Sequence, residues 1–286
     1  MIKLVAIDMD GTLLTDNKII SENTKETLLK ARKNGVNIVL TTGRPLEGLK
    51  NTLEFLEFER NPKDYCGHII QDHVICFNGA LVTNLNTKQN IADITIKGAH
   101  LHELHKLSKQ LKTNIHAFSV KDGLIAQKIS KYTQVEMDIN HIPIKLLRFG
   151  DIPNDEDIVK IMLIDEPEIL DTAMAKLPAE LYNTYTIVRS TPYFLEFLNK
   201  EANKGTGLEK LAKHLNIVPG EIMAFGDADN DMHMIEYAGL GVAMDNAISQ
   251  LKQIAQFVAP SNNKDGVATT LQQFSIDKIR FQKPLF

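Results

Sequence analysis

Residues 4–14 read Leu-Val-Ala-Ile-Asp-Met-Asp-Gly-Thr-Leu-Leu, a short apolar strand-forming run that breaks into two carboxylates one residue apart. A strand buried on both faces reads as a continuous apolar run, because helices cover both sides of a parallel sheet. Acids at its carboxyl end fall where open α/β sheets hold their ligands, in the crevice beyond the strand ends. Asp8 and Asp10 share side-chain parity, and Gly11 allows a bend that brings both toward one centre. The competing reading is a strand that closes in a solvated turn, since Asp-Gly is a common turn dipeptide. The rest of the chain decides between them.

Strand and helix alternate onward from this point. Thr12–Ile19 reads as a hairpin or flap, and Ser21 as the N-cap of a helix that ends at Gly35. Val36–Leu40 is a second strand, broken by Thr41-Thr42-Gly43-Arg44-Pro45, with Pro45 in the first turn of a helix running toward Pro62. A third strand lies within His68–Phe77 and ends in the hairpin signal Asn78-Gly79. Alternation resumes later: a strand at Tyr193–Leu198, a helix at Lys204–Leu215, and a strand at Ile222–Phe225 ending in Gly226-Asp227-Ala228-Asp229-Asn230-Asp231. A helix through Met234, strands at Leu240–Met244 and Phe257–Ala259, and a helix capped by Asp265 complete the chain. Residues 85–189 instead mix strands and helices without strict alternation, as an α+β unit would. The expected fold is α/β: a Rossmann-like parallel-sheet core over residues 1–84 and 190–286, interrupted by an α+β domain over 85–189.

Composition narrows the function. A formal net charge of −4 argues against broad nucleic-acid binding, which needs a basic face. No apolar run is long enough to span a bilayer, and aspartates interrupt the N-terminus too soon for a signal peptide. Cys66 and Cys76 have no metal or redox spacing, so a reducing cytoplasm is expected.

Four stretches share one placement, polar residues between a strand end and a helix: Asp8-Met9-Asp10, Thr42-Gly43-Arg44, the Lys204 region and Gly226–Asp231. On one sheet edge, Asp8, Asp10, Asp227 and Asp231 would converge. Four carboxylates repel, and an all-oxygen set favours magnesium. Lys204, Thr42 and the Gly43 N–H at a helix start would then hold an anion, an electrostatic clamp suited to phosphoryl transfer. Asp8, ionised near its ordinary pKa of about 4, is the expected nucleophile. Asp10 would protonate the leaving oxygen and then deprotonate water, which requires a raised pKa.

DMDGTLL, TTGRP, the lysine of NKGTG and GDADND, in that order, resemble the four motifs of the haloacid-dehalogenase superfamily of phosphatases. The resemblance covers nearly the whole chain. The insert resembles the C2-type cap of the Cof-type branch, and DYC, NGALV, KGTG, MIEYAG and GVAMDNA resemble YidA-type sugar phosphatases. The resemblance implies Asp8 as nucleophile and metal ligand, and Asp10 as acid/base that binds metal through its backbone oxygen. It implies Asp227 as a further ligand and Asp231 as holder of a metal-bound water. Met9 (through its backbone), Thr42, Gly43, Lys204 and Asn230 would contact phosphate. The implied partner is a small phosphorylated metabolite, foremost a sugar phosphate; a homodimer is compatible. A sugar phosphomutase and a non-catalytic phosphometabolite-binding protein are the alternatives, while the presence of Asp10 disfavours a dehalogenase.

Other features read more plainly. The spacing of His100, His102 and His105 does not put all three on one helical face, so a polar surface is expected rather than zinc. Asn78 serves a turn as readily as a substrate. Residues 67–73 look like extra length before the third strand. His116, Lys145 and Arg148 are candidate lining residues of the insert that the sequence alone does not promote.

Overall fold

The computed structural model describes residues 1–58, 63–64 and 67–274; Pro62 and Cys66, singled out above, lie outside them. The first unit opens with β1 (Leu4–Asp8), α1 (Glu22–Lys33), β2 (Asn37–Thr41), α2 (Lys50–Phe55), β3 (His73–Cys76), β4 (Leu81–Asn84) and β5 (Gln89–Asp93). An inserted unit follows, with β6 (Ile96–Lys97), α3 (Gly98–Leu111), β7 (Asn114–Ser119), β8 (Gly123–Ala126), α4 (Lys131–Asn140) and β9 (Ile144–Leu146). It continues through β10 (Asp157–Ile164), α5 (Pro167–Met174), α6 (Leu181–Thr184), β11 (Tyr185–Thr191) and β12 (Phe194–Asn199). The first unit then resumes with α7 (Lys204–His214), β13 (Ile222–Gly226), α8 (Met232–Tyr237), β14 (Leu240–Met244), α9 (Ser249–Ile254), β15 (Phe257–Ala259) and α10 (Gly266–Gln273).

The first unit is built on a sheet of order β15-β14-β13-β1-β2-β3-β4-β5, parallel from β15 to β3. β1 lies at its centre with all five residues buried, as the apolar run requires. From β1 the chain builds outward through β2 and β3; after the insert it returns on the other side through β13, β14 and β15. That reversal makes the β1–β13 neighbourhood the topological switch point, where strand ends open a crevice. Asp8 pairs in register with Thr41, and Ile7 with Phe225, so three chain segments leave the sheet side by side.

The inserted unit carries a mixed sheet of order β11-β12-β10-β7-β8-β9, with β6 added to β10. One face packs Ala117, Ile161, Leu163, Leu195 and Phe197 with Leu101, Leu104 and Leu170.

The compact units are residues 1–92 with 203–286, and residues 93–202. Both limits lie later than the expected 85–189. β5 is a strand of the first sheet, and β12, expected to restart the core, pairs antiparallel with β10 and β11 of the insert. Phe-Leu-Glu-Phe-Leu is buried on both faces, so periodicity could not show which sheet it joins.

Local signals differed in smaller ways. Ser21 caps α1 through Thr24 N, as its position requires. Asp265 precedes α10 with φ +52° and makes no capping bond; its carboxylate instead accepts from Ser21 and Asn23. The segment at 12–19 is a tight turn closed by Thr15 N to Ile19 O, not a hairpin of strands. The helix after Pro45 begins as a single 3-10 turn at Leu46, with Pro45 as its cap. In the extra length before β3, Asp72 is buried and pairs with buried Arg32 at 2.6 Å, pinning it to α1. Asn78-Gly79 forms a turn between β3 and β4, with Asn78 at φ +53°. A Cβ on Gly79 would lie 2.0 Å from Asn203 O, so glycine lets this turn meet the start of α7.

Candidate active site

Asp8 ends the central strand as a buried carboxylate, and Gly11 follows at φ +88°. A Cβ at position 11 would fall 2.3 Å from an Asp227 carboxylate oxygen, so this glycine supplies close approach as well as the turn. Asp227 leaves the adjacent β13, and its Oδ1 accepts from Thr12 Oγ1 at 2.8 Å. Asp231 is fully buried one turn later. Its Oδ2 accepts from the Asp227 and Ala228 amides at 2.9 and 3.0 Å. Carboxylate oxygens of Asp8, Asp227 and Asp231 lie within 4.8 Å of one another.

Lys204, the first residue of α7, is fully buried and completes the group. Its ammonium donates to Asp8 Oδ1 and, at 2.7 Å, to Asp231 Oδ1. The lysine starts a helix as expected and packs against the β3–β4 turn, but the strand before it belongs to the insert's sheet rather than the core. α7 is anchored by Asn203, whose side chain accepts from Thr206 N at 2.9 Å.

One ammonium stands against three carboxylates, and the protonation balance reflects it. Burial pushes the Asp8 carboxyl up to about 8, and Asp231 and Asp227 add to that push while Lys204 opposes it. Burial also raises Asp227. For Lys204, burial works against the charge, but Asp8 and Asp231 outweigh it and hold the ammonium above its ordinary range. Burial thus works against the expected ionisation of Asp8 near its ordinary pKa. An excess of buried negative charge supported by oxygen ligands is what a divalent cation offsets, so the donor set fits magnesium.

Asp10 departs most from expectation. Its side chain is not in the cluster. Arg44 grips it with Nε at 3.0 Å and Nη2 at 2.6 and 2.7 Å, and Lys18 Nζ donates at 2.8 Å. Partial burial works to raise this carboxyl, but the hydrogen bonds and charges of Lys18 and Arg44 outweigh it and hold it below the usual range. The predicted raised pKa is thus reversed here, because two cations that the sequence did not assign to Asp10 surround it.

Among the expected phosphate contacts, Met9 is buried directly after Asp8, and Thr42 is buried after the neighbouring β2. Thr42 Oγ1 accepts from Arg44 N at 3.1 Å. Gly43 lies in an irregular turn three residues before the 3-10 turn, so it is not at a helix N-terminus. A Cβ there would approach the Asn78 side chain to 3.2 Å, and Asn78 Oδ1 accepts from Asn230 Nδ2 at 3.0 Å. Gly43, Asn78 and Asn230 therefore share one corner. Sequence reasoning missed the roles of Thr12, Lys18 and Arg44. Arg44 stood inside TTGRP, but only its charge hinted at Asp10.

The insert's candidates are ordinary. His116 is buried between Phe118 and Phe194, and burial pushes its imidazole down to about 3. Lys145 pairs with Asp122 at 2.7 Å and Arg148 with Asp151 at 2.9 Å. His100 and His102 bond Tyr185 Oη and Phe149 O at 2.6 and 2.9 Å. Burial pushes the Cys76 thiol well above its ordinary range. No described helix is long and apolar enough to cross a membrane.

A sequence profile described as haloacid dehalogenase-like hydrolase matches residues 5–271. YxeH of Bacillus subtilis (strain 168) is 38% identical over 97% of this chain and 100% of its own. YcsE of the same organism, a 5-amino-6-(5-phospho-D-ribitylamino)uracil phosphatase, is 30% identical over 96% of each. Among solved structures, TM0651 from Thermotoga maritima matches with a TM-score of 0.82 at 27% identity, over 96% of this chain and 97% of that one. The HAD subclass IIB sugar phosphatase BT4131 shares the fold, with a TM-score of 0.75 at 24% identity over 96% and 99% of the two chains.

Proposed function

The chain belongs to the haloacid dehalogenase-like hydrolases, in their Cof-type phosphatase branch, and is a phosphoric monoester hydrolase; from that premise we propose that it is a magnesium-dependent phosphatase of small phosphorylated metabolites, foremost sugar phosphates. The observation that carries this reading is the convergence of Asp8, Asp227, Asp231 and buried Lys204 at the switch point of the sheet.

Asp8 is the nucleophile. One of its carboxylate oxygens forms a bond to phosphorus as the ester P–O bond breaks, giving an aspartyl-phosphate. Asp10 gives its proton to the departing oxygen, then takes one from the water that hydrolyses the aspartyl-phosphate. Arg44 and Lys18 hold Asp10 ionised in the free enzyme, so its work as an acid requires release from that grip. Asp8 and Asp227, with the Asp10 backbone oxygen, would hold magnesium. Asp231, whose two oxygens are already engaged by Lys204 and two amides, would act through water. When bound, the ion neutralises charge on the phosphoryl oxygens. Lys204, Thr42, Gly43, the Met9 backbone and Asn230 orient the phosphate. The inserted unit is the C2-type cap and sets which leaving group is accepted.

The test is phosphate release across a panel of phosphorylated metabolites, with magnesium and with EDTA, for the wild type, Asp8→Asn and Asp10→Asn. Release that needs magnesium and is lost in both variants supports the reading. Wild-type turnover in a variant removes the role given to that residue, and a panel without hydrolysis of any sugar phosphate removes the substrate class.

A further inference from the structure

The inserted unit holds a concavity that nothing above uses. It lies where β7 begins at Asn114 opposite Ile164, the far end of β10 from Asp157, and so away from the points where the chain enters and leaves the unit. The cavity measures about 370 Å³, large enough for a small metabolite. His105 and Lys109 of α3 and Lys128 after β8 line it, with Ser108, Thr113 and Gln127. Its lining contains no acidic side chain, and neither lysine pairs with a carboxylate among the described residues.

Three further observations mark it as a place for negative charge. Thr113 Oγ1 is buried without a hydrogen-bond partner at this cavity, and an orphaned hydroxyl is costly unless a ligand or water satisfies it. Ser130, which caps the ten-residue α4, also lines the wall, so the positive end of that helix dipole lies beside it. Two other concavities of the unit have acidic linings, whereas here one carboxylate, Asp165, accepts from the lining residue Asn114. Those two lie toward the opposite end of the sheet and are lined by Asp122, Asp151, Asp155, Glu156 and Asp157 with Lys121.

We propose that this cavity is a second ligand site, distinct from the carboxylate centre, for a small molecule bearing a tetrahedral oxyanion: inorganic phosphate or the terminal phosphoryl group of a metabolite. Lys109 and Lys128 neutralise the dianion, and Thr113 Oγ1 donates to one of its oxygens. His105 is the built-in reporter. Burial, followed by the Lys109 charge, depresses its pKa, and its ring meets Phe149 edge-on at 5.1 Å, so an anion alongside it shifts its imidazole signals.

The experiment is histidine side-chain NMR on the full chain with magnesium, titrated at constant ionic strength with inorganic phosphate and, separately, methylphosphonate. His105 is assigned from His105→Gln. The expected result is a saturable His105 shift that the Lys109→Gln/Lys128→Gln double variant weakens by at least about tenfold and Lys109→Arg/Lys128→Arg retains. Unchanged melting and unchanged turnover of a generic phosphate ester show that the double variant remains folded. A response to phosphate alone identifies the free ion as ligand; a response to both identifies a phosphoryl group carried on a metabolite. The proposal is overturned by the absence of a shift at millimolar anion, by an equal shift in the double variant, or by the same shift with chloride.

Discussion

Two buried lysines invite comparison. Lys204 sits between Asp8 and Asp231 in the first unit; Lys160 of the insert sits 3.2 Å from Glu196 and 3.9 Å from Glu136, again nearly excluded from solvent. In pair chemistry they are alike, yet their settings differ. Lys160 lies within β10, its ammonium 5.1 Å from the Phe118 ring, and Ser190 donates to Glu196 at 2.6 Å. The Lys204 group stands at strand ends on the switch point, with a third, partly exposed carboxylate in Asp227. A buried lysine–carboxylate group therefore does not identify a site by itself; its place in the topology and its third carboxylate do.

The comparison breaks first on activity. Asp8→Asn should lower kcat for phosphate release by about 10⁴-fold, whereas Glu196→Gln should stay within about threefold. Equal losses would make the Lys160 group part of the reaction. Metal is the second division: EDTA should abolish turnover, and magnesium at about 100 times its Kd should stabilise the wild type by about 2.7 kcal/mol in urea unfolding. Asp227→Asn should lose that gain and Glu136→Gln should keep it. Stability alone should not separate the two. Lys204→Met and Lys160→Met each strand buried carboxylates and should cost about 3–5 kcal/mol, but only the first should also reduce kcat.

A further division is in pH. In EDTA, folded Asp8 holds its proton up to about 8 while the unfolded carboxyl loses it in the ordinary range, so stability falls as pH rises through that window. The wild-type-minus-Asp8→Asn difference in urea midpoint should show that slope. His116 acts oppositely. Its folded pKa is depressed to about 3, so its contribution is present above the unfolded value near 6.5 and is lost as pH falls toward 3. The difference against His116→Phe should slope the other way.

Much of the candidate centre was legible because its aspartate motifs lie beside strand ends. Asp8 and Asp227 needed only a parallel sheet to bring them together. Lys204 was found in sequence but assigned the wrong support, since the preceding strand, β12, belongs to the other sheet. The Lys160 group was invisible: Lys160, Glu196 and Glu136 are isolated charges in unrelated segments, and only the β10–β12 pairing and α4 bring them together.

The sequence by itself determined the order of strand and helix, the apolar centre of the sheet and the carboxylates at its edge, because burial periodicity and turn chemistry are local. Tertiary structure alone decided which sheet β12 joins and which cations meet Asp10. Those outcomes depend on strand partners and on long side chains reaching Asp10 from positions 8 and 34 residues away, and local periodicity carries no record of either. The opening Asp8-Met9-Asp10 contains both cases. The place of Asp8 follows from its strand, and the state of Asp10 follows from Arg44 and Lys18.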